Sequence, residues 1–334
     1  MSSLIEDLLD PDSMPDETES VTLVQTHISM VFVGDRFVYK IKKPVNFGFL
    51  DFLTLEKRAY YCEREVELNR RLAKDIYISV LPVTFDGKRH RMKGRAGKVV
   101  EYAVKMRRIP DERLMKSLFR KGKLKEGQLI KIAKVLARFH LNALRNAEID
   151  GFGEPSRFKV NTDENFEQVK RYIGVTIKKK EFGEIKAWTN RFYRSRRSLF
   201  LERVKGGRIR DCHGDLHMDH VCLTRNLPII DCIEFNDRFR YSDTLADIAF
   251  LLMDLEYHGG WNFSKILWDE YKSLTGEVET EELLTFYKIY RAFVRGKVNS
   301  FQVDDQTIGT ENKEEAVGRA KRYFQLASAY ILGE

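Results

Sequence analysis

Alternating apolar residues, the period-two signature of a half-buried strand, are concentrated in the first third of this 334-residue chain, and helical spacing takes over after it. Residues 21–42 (VTLVQTHISMVFVGDRFVYKIK) are rich in β-branched and aromatic side chains. With Gly34-Asp35 as a turn, they read as a three-stranded meander. A helix is expected over 55–73, where Leu55, Ala59, Cys62 and Val66 fall at helical spacing and Thr54 or Asp51 can serve as cap. Two further strands are expected near 76–84 and 98–106, separated by the polar, glycine-containing segment 86–97. Beyond Pro110 the pattern is mainly helical, as over 126–144, where Leu129, Ile132, Leu136, Phe139 and Ala143 share a face. The exception is 211–235, in which strand-like runs at 221–223 and 229–233 surround Asn226-Leu227-Pro228. The fold class is therefore α+β, with a five-stranded antiparallel sheet and one inserted helix followed by a mainly helical part. Three divisions are expected: an acidic N-terminal extension (1–20), a strand-rich lobe (21–106), and a helical lobe (107–334) entered through a linker near Arg107 to Pro110.

A hydrophobic share of 43% is enough for a substantial core, while 32% charged residues and no apolar run near ~20 residues argue against a membrane span. The acidic start MSSLIEDLLDPDSMPDETES lacks the basic and apolar regions of a secretory signal, so a cytoplasmic location is expected. Four cysteines (Cys62, Cys212, Cys222, Cys232) are few for this length, and a disulfide framework is not expected. The net charge of +8 suits an anionic ligand such as a nucleotide. Basic residues are scattered apart from Lys178-Lys179-Lys180 and Arg194 to Arg197, runs that read as solvated helix faces rather than a nucleic-acid surface.

The densest group of reactive side chains is His213-Gly214-Asp215-Leu216-His217-Met218-Asp219-His220, followed by Asp231-Cys232-Ile233-Glu234. Phosphoryl transfer needs a carboxylate to take the proton of an attacking hydroxyl and further ligands to hold Mg²⁺ on the phosphates. A loop Asp and an Asp ending a nearby strand supply both. The order HGDLH, hairpin, apolar pair with Asp, then Asp243 and Asp247 in DTLADIAFL resembles the aminoglycoside phosphotransferase and choline kinase family of small-molecule kinases. The resemblance covers roughly 20–300 and looks like an uncharacterised bacterial branch. It implies a protein-kinase-like two-lobed fold and ATP-dependent transfer to the hydroxyl of a small acceptor. It further implies Asp215 as base, Asp231 as principal Mg²⁺ ligand and Asp247 as a structural carboxylate behind the loop. The family pattern has Asn, a second metal ligand, where this chain has His220. Imidazole suits Mg²⁺ less well than oxygen does, so a pseudokinase, a nucleotide-binding module with impaired turnover, is the alternative. Asn236 and Glu234 are the substitutes the sequence offers.

The same resemblance calls for a strand lysine on the phosphates and a helix glutamate to hold it. Alternation puts Val38, Lys40 and Lys42 on one strand face; Lys40, nearer the apolar centre, is favoured over Lys42, with Val38 beside the adenine. Glu65 lies along the apolar stripe of Tyr61, Leu68 and Leu72 and is the expected partner of Lys40. The phosphate-side loop would be 25–29, with Thr26 and Ser29 as donors, and the adenine would meet backbone groups at 103–106, ending at Met106. His140 reads as a core histidine. For the acceptor, Glu234, Asp237, Asp254 and Glu256 with Tyr257 and Trp261 suggest an acidic pocket for a cationic or polyhydroxylated molecule. Against a zinc-hydrolase reading of Asp215-x-His217-x-Asp219-His220 stand its leading Asp, the single downstream histidine His258, and a strand-then-helix order foreign to such enzymes. The dinucleotide and P-loop glycine motifs are absent from the sequence.

Overall fold

The computed structural model describes residues 3–94, 97–305 and 309–333, and it divides into two compact units. Arg95 and Ala96 of the expected 86–97 segment, and the first two residues of the expected extension, lie outside the described residues.

The first unit joins residues 1–123 to the distant segment 219–237. Helix α1 (Leu4–Leu8) leads into β1 (Thr22–Gln25), β2 (Ser29–Val33) and β3 (Phe37–Lys42), then α2 (Leu55–Ala73), β4 (Tyr77–Phe85), β5 (His90–Arg91), β6 (Lys98–Arg107) and the short α3 (Met115–Arg120). The strands form one antiparallel sheet in the order β1-β2-β3-β6-β4-β5. The expected five strands are thus six. The extra one, β5, has only two residues, too few to show alternation. Its hairpin is set by the Asp86 carboxylate, which accepts from the N–H groups of Lys88 and Arg89 at 2.9 Å each. Asp7 holds it from a distance, accepting the His90 N–H at 2.8 Å and lying 2.6 Å from its ring.

Side-chain alternation divides the sheet into two differently covered faces. Tyr39 and Ile41 of β3 join Phe32, Val83 and Ala103 under Leu8 and Met14 of the N-terminal segment, so the acidic extension carries part of the core. On the opposite face, Val104 and Tyr77 pack against Cys62, Val66 and Ala73 of α2. Thr54 caps α2 by accepting the Lys57 N–H, whereas Asp51 turns back to the Leu53 N–H. Segment 219–237 is attached by the single bridge of Leu114 to Cys222, and within it Val221 pairs with Ile229 in one antiparallel bridge, so the two expected strand runs meet but do not extend into a ladder.

The second unit comprises 124–218 and 238–334. It contains α4 (Glu126–Asn142), α5 (Ala147–Gly151), α6 (Pro155–Val169), α7 (Lys179–Ser195) and α8 (Arg197–Lys205). A two-stranded ladder of β7 (Ile209–Asp211) and β8 (Tyr241–Asp243) surrounds the turn α9 (Asp237–Arg240), and α10 (Thr244–Tyr257), α11 (Trp261–Thr275), α12 (Glu281–Phe301) and α13 (Thr310–Leu332) follow. Helix α10 is buried on all sides from Thr244 to Glu256, as its nearly continuous apolar sequence requires. Phe250 and Met253 of α10 meet Ile289 and Phe293 of α12 and Tyr323 and Phe324 of α13 in one core. Gly296 permits the close approach of α12 and α13, because a Cβ there would lie 2.6 Å from the Phe324 ring.

Candidate active site

In the first unit the alternation that buries Tyr39 and Ile41 turns Lys40 and Lys42 toward α2. Glu65, fully buried on that helix, meets both: its Oε1 is 2.9 Å from Lys40 Nζ and its Oε2 is 2.6 Å from Lys42 Nζ. Lys40 also lies 2.7 Å from Asp231 Oδ1, and Lys42 pairs closely with Glu234. Two ammonium groups therefore share three carboxylates. Burial alone would lower the Lys40 pKa, but Asp231 and Glu65 outweigh it and hold it well above the ordinary value. Burial likewise pushes Glu65 upward, and the two lysines overcome it, so Glu65 is held below its usual range. Glu234 goes the other way: burial prevails over the pull of Lys42 and raises it.

Loop 231–234 is fastened residue by residue. The Tyr77 hydroxyl accepts the Asp231 N–H at 3.0 Å, Asn69 Oδ1 accepts the Cys232 N–H at 2.8 Å, and Lys42 holds Glu234. Asp231 itself sits at φ +63°, a left-handed conformation that a non-glycine residue keeps only where its surroundings impose it and that gathers at functional sites. Its carboxylate is 43% exposed, and Oδ2 is 3.6 Å from His220 Nε2. Mg²⁺ is commonly held by one or two carboxylates plus waters and phosphates, so Asp231 fits such an ion, with His220 the poorer nitrogen donor beside it. Asn236, the amide the sequence offers for this role, donates to the Phe49 carbonyl at 2.9 Å.

The remaining nucleotide-side residues are less open than expected. Thr26 and Ser29 close a turn on each other: the Ser29 N–H donates to Thr26 Oγ1 at 3.0 Å and the Thr26 N–H to the Ser29 carbonyl at 2.9 Å, with Ser29 buried. Val38 and Met106 are half-buried partners across β3 and β6.

In the second unit, residues 212–218 form a loop gripped from below by α10. Asp247 accepts the N–H of His213 at 2.9 Å and of Gly214 at 2.8 Å, and Asp254 accepts that of Met218 at 2.9 Å. These two buried acids are seven residues apart, which is two helical turns on one face. Gly214 takes φ +86°, and its carbonyl accepts from Arg291 Nη1 at 2.9 Å. Asp215, one-third exposed, lies 3.5 Å from His217 Nε2 and donates its N–H to His213 Nδ1 at 3.3 Å. His140 is a buried core histidine, as expected, with its ring nitrogens 3.1 Å from Asp247 and 2.8 Å from the Tyr271 hydroxyl. Burial pulls the Asp247 pKa up, but the hydrogen bond and charge of His140 reverse this and hold it well below the carboxylate range.

Most of the acids expected to line an acceptor pocket have partners within their own unit. Glu234 is committed to Lys42, and Asp254 to the loop backbone. Glu256 is buried among Ser264, Lys288 at 2.6 Å and Tyr330. Tyr257 stacks on Tyr323, Trp261 is half exposed, and Asp237 is an exposed residue opening α9. The sequence reading missed Asp254 as an anchor and Arg291 as its counterpart. The signal for the first was present: two aspartates two turns apart on one face of a largely apolar helix.

Residues 36–283 match the model of a phosphotransferase enzyme family, APH. An uncharacterised protein of Mycobacterium tuberculosis (strain H37Rv) is 34% identical over 308 residues, which is 92% of this chain and 59% of that protein. The chain thus spans well under two-thirds of that relative's length. Among solved structures, a putative aminoglycoside phosphotransferase from Ralstonia eutropha superposes with a TM-score of 0.52 at 13% identity, covering 92% of each chain. A spectinomycin phosphotransferase in complex with ADP and spectinomycin gives 0.50 at 13% identity, covering 94% of each. At that identity the likeness is one of fold. The family match covers about three-quarters of the chain and includes the strand lysines, the HGDLH loop and Asp231, so the protein belongs to the APH phosphotransferase family.

Proposed function

We propose that the protein is an ATP-dependent phosphotransferase acting on a hydroxyl of a small molecule. The observation that carries this reading is the triad of Lys40, Glu65 and Asp231, with Asp231 in a left-handed conformation on a fastened loop. Such a lysine–glutamate pair positions nucleotide phosphates, and the Asp231 carboxylate is the group to hold Mg²⁺, with His220 adjoining. Bound Mg²⁺ would neutralise charge on the β- and γ-phosphate oxygens. Were Mg²⁺ held at Asp231, that carboxylate would be shared with the ion and the Lys40 ammonium, kept in place by Glu65, would be available to the phosphates. Asp215 takes the proton of the acceptor hydroxyl as its oxygen bonds the γ-phosphorus and the bond to ADP breaks. The solved relative bound to ADP and spectinomycin supports a nucleotide and a small acceptor in this family.

One observation favours a second reading, a nucleotide-binding module with impaired turnover: an imidazole, not an amide oxygen, adjoins Asp231. An ATP-consumption screen against hydroxyl-bearing metabolites separates the two. Asp215→Asn is expected to lose about 10²–10⁴-fold in turnover with nucleotide binding preserved, and Asp231→Ala to lose MgATP binding as well. Turnover unchanged in Asp215→Asn would refute the assignment, and thermal stabilisation by MgATP without consumption on any acceptor would select the second reading.

A further inference from the structure

In the first unit, Lys42 ends β3 at 1% exposure, enclosed by Glu65, Glu234 and the Phe52 ring, whose centre is 5.0 Å from Nζ. So enclosed, it cannot itself touch a nucleotide phosphate. It nevertheless holds two of the three carboxylates it shares with Lys40: Glu65 Oε2 at 2.6 Å, and Glu234 in close contact. Glu234 is buried as well, at 6% exposure. Desolvating two such charges offsets much of their attraction, and an apolar pair of similar volume often serves stability as well or better. What apolar groups do not supply is direction, because an ion pair fixes one atom against another.

The geometry shows what is fixed. Strand β3 is paired on both sides, to β2 and to β6, so Lys40 and Lys42 are two points on a rigid rail, their Cα atoms about 7 Å apart on one face. Opposite them, Asp231 meets Lys40 and Glu234 meets Lys42. Residues 231 and 234 are three apart, and an extended chain of that length would span about 10 Å and turn the two side chains to opposite sides. A regular strand therefore cannot satisfy both lysines. The left-handed turn at Asp231, φ +63°, breaks the extended geometry and brings both carboxylates to the same strand. Asn69 ties the middle of the loop to the helix turn that carries Glu65: its Oδ1 accepts the Cys232 N–H at 2.8 Å and its Nδ2 donates to the Glu65 carbonyl at 2.9 Å. An ion pair at each end of a four-residue loop thus accompanies the conformation in which Asp231 presents its exposed carboxylate.

We propose that Lys42 and Glu234 are a positioning pair: anchored on β3, they hold loop 231–234 in register, so that Asp231 stays left-handed with its carboxylate placed for the metal of a Mg²⁺–nucleotide. Both act through Asp231. This inference deepens the phosphotransferase reading and rests on Asp231 as metal ligand, and the test separates the two. Binding of the non-hydrolysable analogue adenylyl imidodiphosphate to the full chain is measured by calorimetry with and without Mg²⁺, at a temperature where thermal melts show each variant folded. ATP consumption is followed on the same preparations. Replacing the pair together, Lys42→Met with Glu234→Leu, should leave the chain folded and the metal-free affinity within about threefold of wild type, because Lys40 keeps Glu65 Oε1 at 2.9 Å. The tightening that Mg²⁺ confers should be cut about tenfold or lost, as when residues that orient a metal ligand from behind are removed. Glu234→Gln, whose amide oxygen can still accept from Lys42, should recover most of that tightening, and Glu234→Ala should not. Should the double variant fail to fold, the comparison of Gln with Ala decides. A folded double variant with the wild-type response to Mg²⁺, or equal responses of Glu234→Gln and Glu234→Ala, would overturn the positioning role and leave the phosphotransferase reading to its own test. A response lost in the double variant, with no ATP consumed by wild type on any acceptor, would uphold the pair and count against the phosphotransferase. Wild type that binds the analogue equally with and without Mg²⁺ would remove the metal from Asp231, and this inference with it.

Discussion

Lys297 is the residue whose charge state the fold strains most visibly. Burial lowers its pKa to about 8, against an ordinary value of 10.5, with Glu164 pulling it up and Arg238 pushing it down. Below pH 8 both the folded and the unfolded chain carry the proton, and the folded state bears the whole cost of a buried ammonium. Between about 8 and 10.5 the unfolded chain holds a proton that the folded chain has released, so stability contributed at this site rises with pH. Urea unfolding of wild type and Lys297→Met should therefore diverge, with wild type gaining on the order of 3 kcal/mol relative to the variant between pH 7 and pH 10.5. A difference that stays flat across that range would mean an ordinary lysine. Nothing in the sequence distinguishes Lys297 from the many basic residues of the helical part, because its depressed pKa arises from burial in the tertiary fold, beside amide partners on α6 more than 120 residues earlier. Lys40 and Glu65 were legible for the opposite reason: alternation in a strand and an apolar stripe in a helix expose a misplaced charge locally. That Lys42 reaches the same glutamate depends on how α2 lies across β3, which periodicity does not encode.

At the level of elements, α10 does the most to shape the catalytic loop. Its two acids accept three backbone N–H groups of residues 213–218, leaving the loop little freedom. Asp254→Ala should strand the Met218 N–H and cost about 1–3 kcal/mol of stability. It should also lower kcat with the KM for ATP unchanged, because the nucleotide-side lysines belong to the other unit; thermal melts and steady-state kinetics on the same preparation check both. A normal kcat would show that Asp247 alone secures the loop. The helix itself was readable from its sequence, since a 14-residue run so apolar must be buried, and β1–β4 and β6 were readable from their alternation. The sixth strand was not, because Asp7 and the Asp86 turn define it rather than any pattern of its own. The runs at 221–223 and 229–233 do meet as a short hairpin, with the Cys222 N–H on the Pro228 carbonyl and the Ile230 N–H on that of His220, but it stops at one bridge because the Leu223 N–H turns to the Arg113 carbonyl and the Ile229 N–H to that of Leu72.

For the molecule as a whole, the decisive feature is that its first unit is not contiguous. Segment 219–237 supplies Ile230 to the packing around Cys62 and Val66, Cys232 to Asn69, and Glu234 to the buried Lys42. A division drawn along the sequence near residue 110 cannot show this, because composition changes at the linker whereas packing returns across it. A chain ending at Lys123 should accordingly be degraded quickly by protease and lack a sharp unfolding transition. Joining 219–237 to it through a flexible glycine-rich linker should restore resistance, and equal resistance of the two fragments would show that the segment is dispensable for folding. The same discontinuity has a temporal side. On the ribosome, the sheet and α2 emerge about 114 residues before the stretch that completes them (Lys123 to Asp237), roughly 6 to 23 s at ordinary elongation rates of about 5–20 residues per second. Throughout that interval the nascent sheet waits beside a growing helical chain, so its completion is set by the pace of translation and by whatever chaperone shelters it meanwhile.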